Sequence, residues 1–371
     1  MTEPAALDDL VIVDFSRVLA GPLATMVLAD LGAAVIKVER PGTGDDTRAW
    51  GPPFDARGEA TYFQAVNRNK DGVALDLGDP GDAARARELV ARADVVVENF
   101  RPGVMDKLGL GWDALRREDP RLVYCSITGF GAGAGAALPG YDLLVQALGG
   151  LMSITGEADG EPQKVGVALV DVITGLFAAV GILAALRHRE RTGDGQRVEV
   201  DLLSSLLAAL VNQGSAFTLA GAVGGRMGNA HPSIAPYELL PTGDGDLVLA
   251  VGNDKQFAAL CAVAGAPALA GDARFATNGA RVAHREELRA ALVALLSTRA
   301  AAAWVGDLTA AGVPAGQVND VAGAFALAER LGLAPVVEIP RDDGSVARLT
   351  RNPIGLSVSP PTYRSAPPDL A

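Results

Sequence analysis

The chain has 371 residues, 49% hydrophobic and 20% charged, which gives ample material for a core and a length that implies two domains. Its net charge of −12, from 32 basic and 44 acidic side chains, disfavours nucleic acid and anionic membrane surfaces as partners. Cys125 and Cys261 lie in apolar runs, as inert thiols in a reducing compartment do, and His188, His231 and His284 lack metal-ligand spacing. The start, MTEPAALDDL, has no basic segment before an apolar one, so a signal peptide is not expected and a cytoplasmic location is.

In chain order, LVIVDF reads as a strand. AGPLATMVLADLG follows as a helix, with Pro22 suited to its first turn and Gly32 to its stop. AAVIKVER is a second strand, GDAARARELVARA a helix, ADVVVENF a strand and RLVYCSITGFG another. Nearly continuous apolar strands alternating with helices predict an α/β fold with a parallel sheet covered on both faces. The stretch from Val165 to Leu186 has a membrane-spanning length, but Asp171 interrupts it, so it reads as a short buried strand followed by a buried helix. RVEVDLL is an alternating strand, and SSLLAALVNQGSAFTLAG a long apolar helix. GAVGGRMGNAHPSIAP, rich in Gly and Pro, reads as a boundary and a mobile loop. Beyond it come a hairpin turned at Asp244-Gly245, helices from Lys255 to about Ala311, and an extended Pro-rich tail. The domain expectation is 1–205 large domain, 206–230 linker and loop, 231–330 small α+β domain, and 331–371 returning to the large domain.

A βαβ start raises the possibility of a nicotinamide-dependent oxidoreductase, but DFSRVLAGP carries one glycine where the dinucleotide fingerprint needs three. Asp171 is more informative. Alone among apolar neighbours where a helix begins, it reads either as an ordinary N-cap or as a carboxylate nucleophile kept ionised by helix N–H groups. Small neighbours (Gly166, Ala168, Gly175) leave room for a substrate. A set of cations precedes it: Arg40, Lys70, Arg101 and Lys107, three of them read as lying just past a strand's C-terminal end or in the loop after it, where open α/β sheets bind ligands.

The blocks VLAGPLATMVLADLGAAVIKVERPGTGDDTR, DVVVENFRPGVMDKLGLG, PGYDLLVQALGGLMSITG and KVGVALVDVITGLFAAVGILAALRHRERTGDGQ, in this order, resemble the family III CoA-transferases. The resemblance implies a Rossmann-like large domain built from both termini, a smaller α+β domain, and an interlocked homodimer. It implies that Asp171 is the nucleophile, and that CoA or acyl-CoA is a substrate, with no permanently bound cofactor and no metal. Residues implied to contact CoA are Val18, Leu19, Ala20, Arg40, Asn69, Lys70, Asn99, Phe100, Arg101, Lys107 and Tyr141, with Arg40 and Lys70 meeting phosphate. Gln146 is implied on the substrate side, and Gly228 with Asn229 near a glycine-rich cover. The closest subgroup in appearance moves CoA from succinyl-CoA to dicarboxylic acids such as glutarate, with small carboxylic acids as the other partners; Arg48 and Arg226 are candidates for a second substrate carboxylate. Departures from the family pattern are NRNKDG, where one cation is missing, GAGAGAALPG before PGYD, and the stop at APPDLA. The alternative on the same fold is an α-methylacyl-CoA racemase, whose second base is a histidine where this chain has Tyr141, a poor base.

Overall fold

A computed structural model describes residues 4–370, which divide into two compact units: 4–151 with 164–223 and 334–370, and 152–163 with 224–333. The first unit is built on six parallel strands: β1 (Val11–Asp14), β2 (Ala34–Glu39), β3 (Lys70–Ala74), β4 (Val95–Glu98), β5 (Val123–Thr128) and β6 (Arg197–Asp201). Their order, β3-β2-β1-β4-β5-β6, reverses direction between β1 and β4. In such sheets ligands bind at that switch point, beyond the strand C-terminal ends.

Alternation along each strand feeds two cores. Ile12, Val35, Val95, Val97, Val123 and Cys125 face α1 (Ala20–Asp30) and a long helix from Leu169 to Thr192. Val13, Val38, Val96 and Tyr124 face the opposite side, where Ala86 and Val90 of α2 (Pro80–Val90) cover them. Strands buried on both faces read as unbroken apolar runs, which is why they are legible in the sequence. β3 is the exception: KDGVA at the sheet edge has too few apolar residues to announce itself.

Three expectations are corrected. No strand precedes Asp171: residues 164–168 are irregular, and one helix runs unbroken over Leu169–Thr192. With α3 assigned to Asp142–Leu148, this helix is α4. By length and composition it is apolar enough to cross a membrane, yet one of its faces packs into the sheet core while Leu176, Phe177 and Val180 of the other stay exposed. Residues 206–220 are not linker. They complete α5 (Leu202–Ala209) and form α6 (Val211–Ala220), bent by 84° at Val211, so the single long helix expected there is two. The second unit takes residues 152–163 as well as the region after 223.

The tail does more than lie on the surface. Asp30, wholly buried, receives Arg68 through two bonds (2.9 and 2.6 Å), Asn69 Nδ2 (2.8 Å) and Asn352 Nδ2 (3.0 Å), while its carbonyl accepts from Thr362 N–H. Arg364 donates to the carbonyls of Ala29, Gly32 and Ala33, which closes the C-terminal end of α1. The second unit holds a three-stranded antiparallel sheet, β7 (Tyr237–Pro241), β8 (Asp246–Ala250) and β9 (Ala315–Gly316), over helices that bury Phe257, Leu292, Trp304 and Leu308.

Candidate active site

The site forms where the loops after β1, β4 and β5 meet the first turn of α4. One pocket there is lined by Arg17, Val18, Leu19, Ala20, Asn99, Phe100, Arg101, Tyr141 and Asp171, among others. Gly175 brings α4 in. A methyl group on it would stand 2.5 Å from the carbonyl oxygen of Ala20, so its missing side chain is filled by the backbone of α1. The glycine therefore serves helix packing rather than substrate space. Gly129 and Gly140 likewise meet backbone to backbone, with a Cβ on Gly129 falling 2.4 Å from the Gly140 Cα, and so pinch off the 130–139 loop beside the pocket.

Asp171 is not the N-cap. That position belongs to Ala168, which offers no side-chain bond, and Asp171 sits two residues into the first turn. The cap is supplied from elsewhere: Asp142 Oδ1 accepts from Val170 N–H (2.8 Å) and Asp171 N–H (3.3 Å). Gln146, fully buried, donates to Asp142 Oδ2 (2.6 Å) and accepts from Val165 N–H (2.9 Å), tying α3 to the start of α4. The Asp171 carboxylate itself makes no hydrogen bond or ion pair with a described residue. Burial, and after it the nearby Asp142 charge, raise its pKa from 3.8 to about 7. Helix N–H groups that would oppose this rise are already taken by Asp142. Asp171 also lines a second, more apolar cavity with Trp50, Tyr62, Leu143, Lys164 and Val167. Burial first, then the charges of Asp171 and Asp142, push the Tyr62 phenol above its usual range.

The fold brings Val18, Leu19, Ala20, Asn99, Phe100, Arg101 and Tyr141 to the Asp171 pocket. Arg40 lines a neighbouring cavity with Phe15, Asp45, Leu75 and Phe100, at the C-terminal ends of β1 to β4. Lys107 is exposed and lines neither. Asn69 and Lys70 are corrections. Asn69 holds the tail, its Oδ1 accepting from the N–H groups of Arg364 (2.6 Å) and Ser365 (3.2 Å). Lys70 opens β3. Its ammonium is fully enclosed by Asp14 Oδ2 (3.1 Å), the Pro22 carbonyl (2.9 Å) and Asn67 Oδ1 (3.0 Å), so it is out of reach of a phosphate. Burial, only partly offset by Asp14, lowers its pKa from 10.5 to about 8. Arg48 is held by Glu39 (2.9 and 2.7 Å) and stacks on Phe63, and Arg226 grips the carbonyls of Glu157 and Gly160; neither is free for a substrate carboxylate. Gly228 and Asn229 belong to the second unit, where Gly228 N–H bonds the Gly156 carbonyl. Asp142, Tyr62 and Lys164 are the lining residues that sequence reasoning missed. Asp142 and Lys164 lay within quoted blocks, as the acid of PGYD and the first residue of KVGVALVD, without being singled out.

A family model described as CoA-transferase family III matches residues 7–371, and the chain belongs to that family. It is a CoA-transferase, and CoA thioesters are the substrates of that class. It is 46% identical to the succinate–glutarate CoA-transferase of Agrobacterium fabrum, over 98% of this chain and 92% of that protein. It is 45% identical to the acetyl-CoA:oxalate CoA-transferase of Acetobacter aceti, over 85% of this chain and 81% of that one. Among solved structures, a CAIB/BAIF family protein from Brucella suis superposes with a TM-score of 0.87 at 44% identity, covering 99% and 97% of the two chains.

Proposed function

We propose that this protein moves CoA from succinyl-CoA to a small dicarboxylic acid, with Asp171 as the nucleophile, and that it works as a cytoplasmic homodimer. The observation that carries the reading is an unpaired carboxylate, in a pocket at the sheet switch point, with a pKa raised to about 7. A carboxylate with that basicity is ionised in a useful fraction near neutral pH and is a better nucleophile than an exposed one. The dicarboxylate preference rests on relatives whose names specify glutarate or oxalate.

In the first step an Asp171 oxygen attacks the donor thioester carbonyl. The C–S bond breaks, leaving a mixed anhydride and CoA thiolate. The thiolate attacks the aspartyl carbonyl and expels the donor acid as a carboxylate, giving an aspartyl-CoA thioester. The acceptor carboxylate then attacks that thioester carbonyl, again freeing CoA thiolate. Its attack on the acceptor acyl carbon yields the new acyl-CoA and returns Asp171 as a carboxylate. Each tetrahedral centre carries an oxyanion, and backbone N–H groups at the start of α1, which lines the same pocket as Asp171, are suited to stabilise it. Arg101 and Arg40 are suited to CoA phosphates, and Phe100 to the path of the pantetheine arm. Lys164, which lines the second cavity with Asp171, is the cation suited to a second acceptor carboxylate. The exposed apolar residues Leu176, Phe177 and Val180 of α4 and Phe217 and Leu219 of α6 support a partner subunit, since patches of that kind mark interfaces.

The test is incubation with succinyl-CoA and a panel of mono- and dicarboxylic acids, with every CoA ester identified by mass. New esters of dicarboxylic acids are expected. If no acid receives CoA while a chiral 2-methylacyl-CoA exchanges its α-proton in deuterated water, an isomerase replaces this reading.

A further inference from the structure

The loop after β1 is held in an unusual way. From the N–H of Ser16 to the N–H of Val18, each backbone polar group bonds to a side chain rather than to other backbone. Ser16 N–H donates to Asp14 Oδ1 (2.9 Å), and Lys37 Nζ donates to the Ser16 carbonyl (3.0 Å). Asn99 takes both groups of Arg17: its Oδ1 accepts from the N–H (2.9 Å) and its Nδ2 donates to the carbonyl (2.7 Å). Val18 N–H donates to the Asp45 carboxylate, 3.2 Å from each oxygen. Asp45 is fixed in turn by buried Lys37 (3.0 Å) and by Thr47.

The residue these bonds converge on is strained. Val18 has φ of 70°, in the left-handed region that a β-branched residue rarely enters. Such strain persists only where the surroundings over-determine it. Here they do, from two sides: Asn99 follows β4 and Asp45 follows β2, so the clamp straddles the switch point between β1 and β4. The next residues, Leu19 and Ala20, lead into α1 and line the Asp171 pocket.

We propose that Asn99 and Asp45 are positioning residues for CoA transfer: acting on the backbone of Arg17 and Val18, they hold Val18 left-handed and so set the wall that faces Asp171. This rests on the transferase reading above and deepens it. It assigns Asn99 an action through the loop, where the family resemblance implied a contact with CoA.

The test is rescue by glycine. Outside glycine the left-handed conformation is disfavoured by a factor of about five to thirty, whereas glycine enters it freely. With Asn99→Ala in the otherwise unchanged protein, kcat/KM for transfer from succinyl-CoA should fall by about that factor. In a Val18→Gly background the same substitution should cost less than about threefold, because the clamp no longer has a conformation to enforce. Asp45→Ala, which removes the acceptor of the Val18 N–H, should follow the same pattern when measured in both backgrounds. An equal loss in both backgrounds would overturn the proposal and return Asn99 to direct substrate contact. Should Asn99→Ala lose its far-ultraviolet dichroism, Asn99→Ser is read in its place. A parent protein with no transfer at all would instead sink the functional reading, and the unmodified control shows which of the two has failed.

Discussion

Asp171→Asn should abolish transfer and at the same time make the protein more stable. The magnitude follows from the raised pKa. The group titrates at about 7 when folded, against 3.8 for an unperturbed aspartate, so keeping it ionised in the fold costs stability. A shift of roughly three units at about 1.4 kcal/mol each gives about 4 kcal/mol as an upper figure, and partial exposure of the side chain reduces it to about 2–4 kcal/mol. The sign is that of a carboxyl raised in the folded state: the favourable contribution is complete below pH about 4 and is lost as pH climbs through about 7. Asparagine keeps the shape without the charge. Urea unfolding of parent and variant at one protein concentration, at pH 8 and pH 5.5, reads the difference directly. The variant should be more stable at pH 8, and its advantage should shrink by about 1–2 kcal/mol at pH 5.5. A variant less stable than the parent, or an advantage that ignores pH, would refute the argument that burial and Asp142 strain this carboxylate.

Further expectations follow from the same geometry. Asp142→Asn preserves an acceptor for the Val170 and Asp171 N–H groups but removes the charge, so the acid limb of kcat/KM should move to lower pH; a profile left in place would show that Asp142 does not bear on Asp171. Lys70→Met strips a fully buried partner from Asp14 and should cost about 3–5 kcal/mol in chemical denaturation, while the salt dependence of KM for the CoA ester stays unchanged. A KM that loses salt dependence in that variant would restore Lys70 as a phosphate contact. Gly175→Ala places a methyl 2.5 Å from the Ala20 carbonyl and should destabilise by about 1–3 kcal/mol, with a loss of kcat as α4 is pushed from α1; calorimetry and steady-state rates check both.

Much of the large unit is legible in the sequence because doubly covered strands must be apolar throughout, as in VIVD, VVVE and VYCSIT. KDGVA escapes notice because an edge strand carries no such demand. The break at Val211 is hidden for the opposite reason: apolar residues run through it, and no Pro or Gly marks the 84° bend. Asp171 stands out as a lone acid in an apolar run, but its place in the helix was misjudged, since the cap comes from Asp142, 29 residues upstream, and no local pattern carries that pairing. Lys70 shows the same limit for charge. A lysine in a polar segment looks solvated, and only the fold reveals that its ammonium turns inward to Asp14. Arg48 and Arg226 fail as substrate cations for a related reason, because each already has protein acceptors that the sequence does not show.

The measurement closest to the central claim is chemical trapping on the protein itself. The chain is incubated with succinyl-CoA alone, quenched with hydroxylamine, digested, and the peptide spanning Asp171 is weighed and fragmented. An activated aspartyl carbonyl, whether anhydride or thioester, is converted to a hydroxamate, so a mass gain of one hydroxamate located at Asp171 is predicted, absent without the CoA ester. Active transfer with Asp171 unmodified, or a modification found at another acid, would contradict the account.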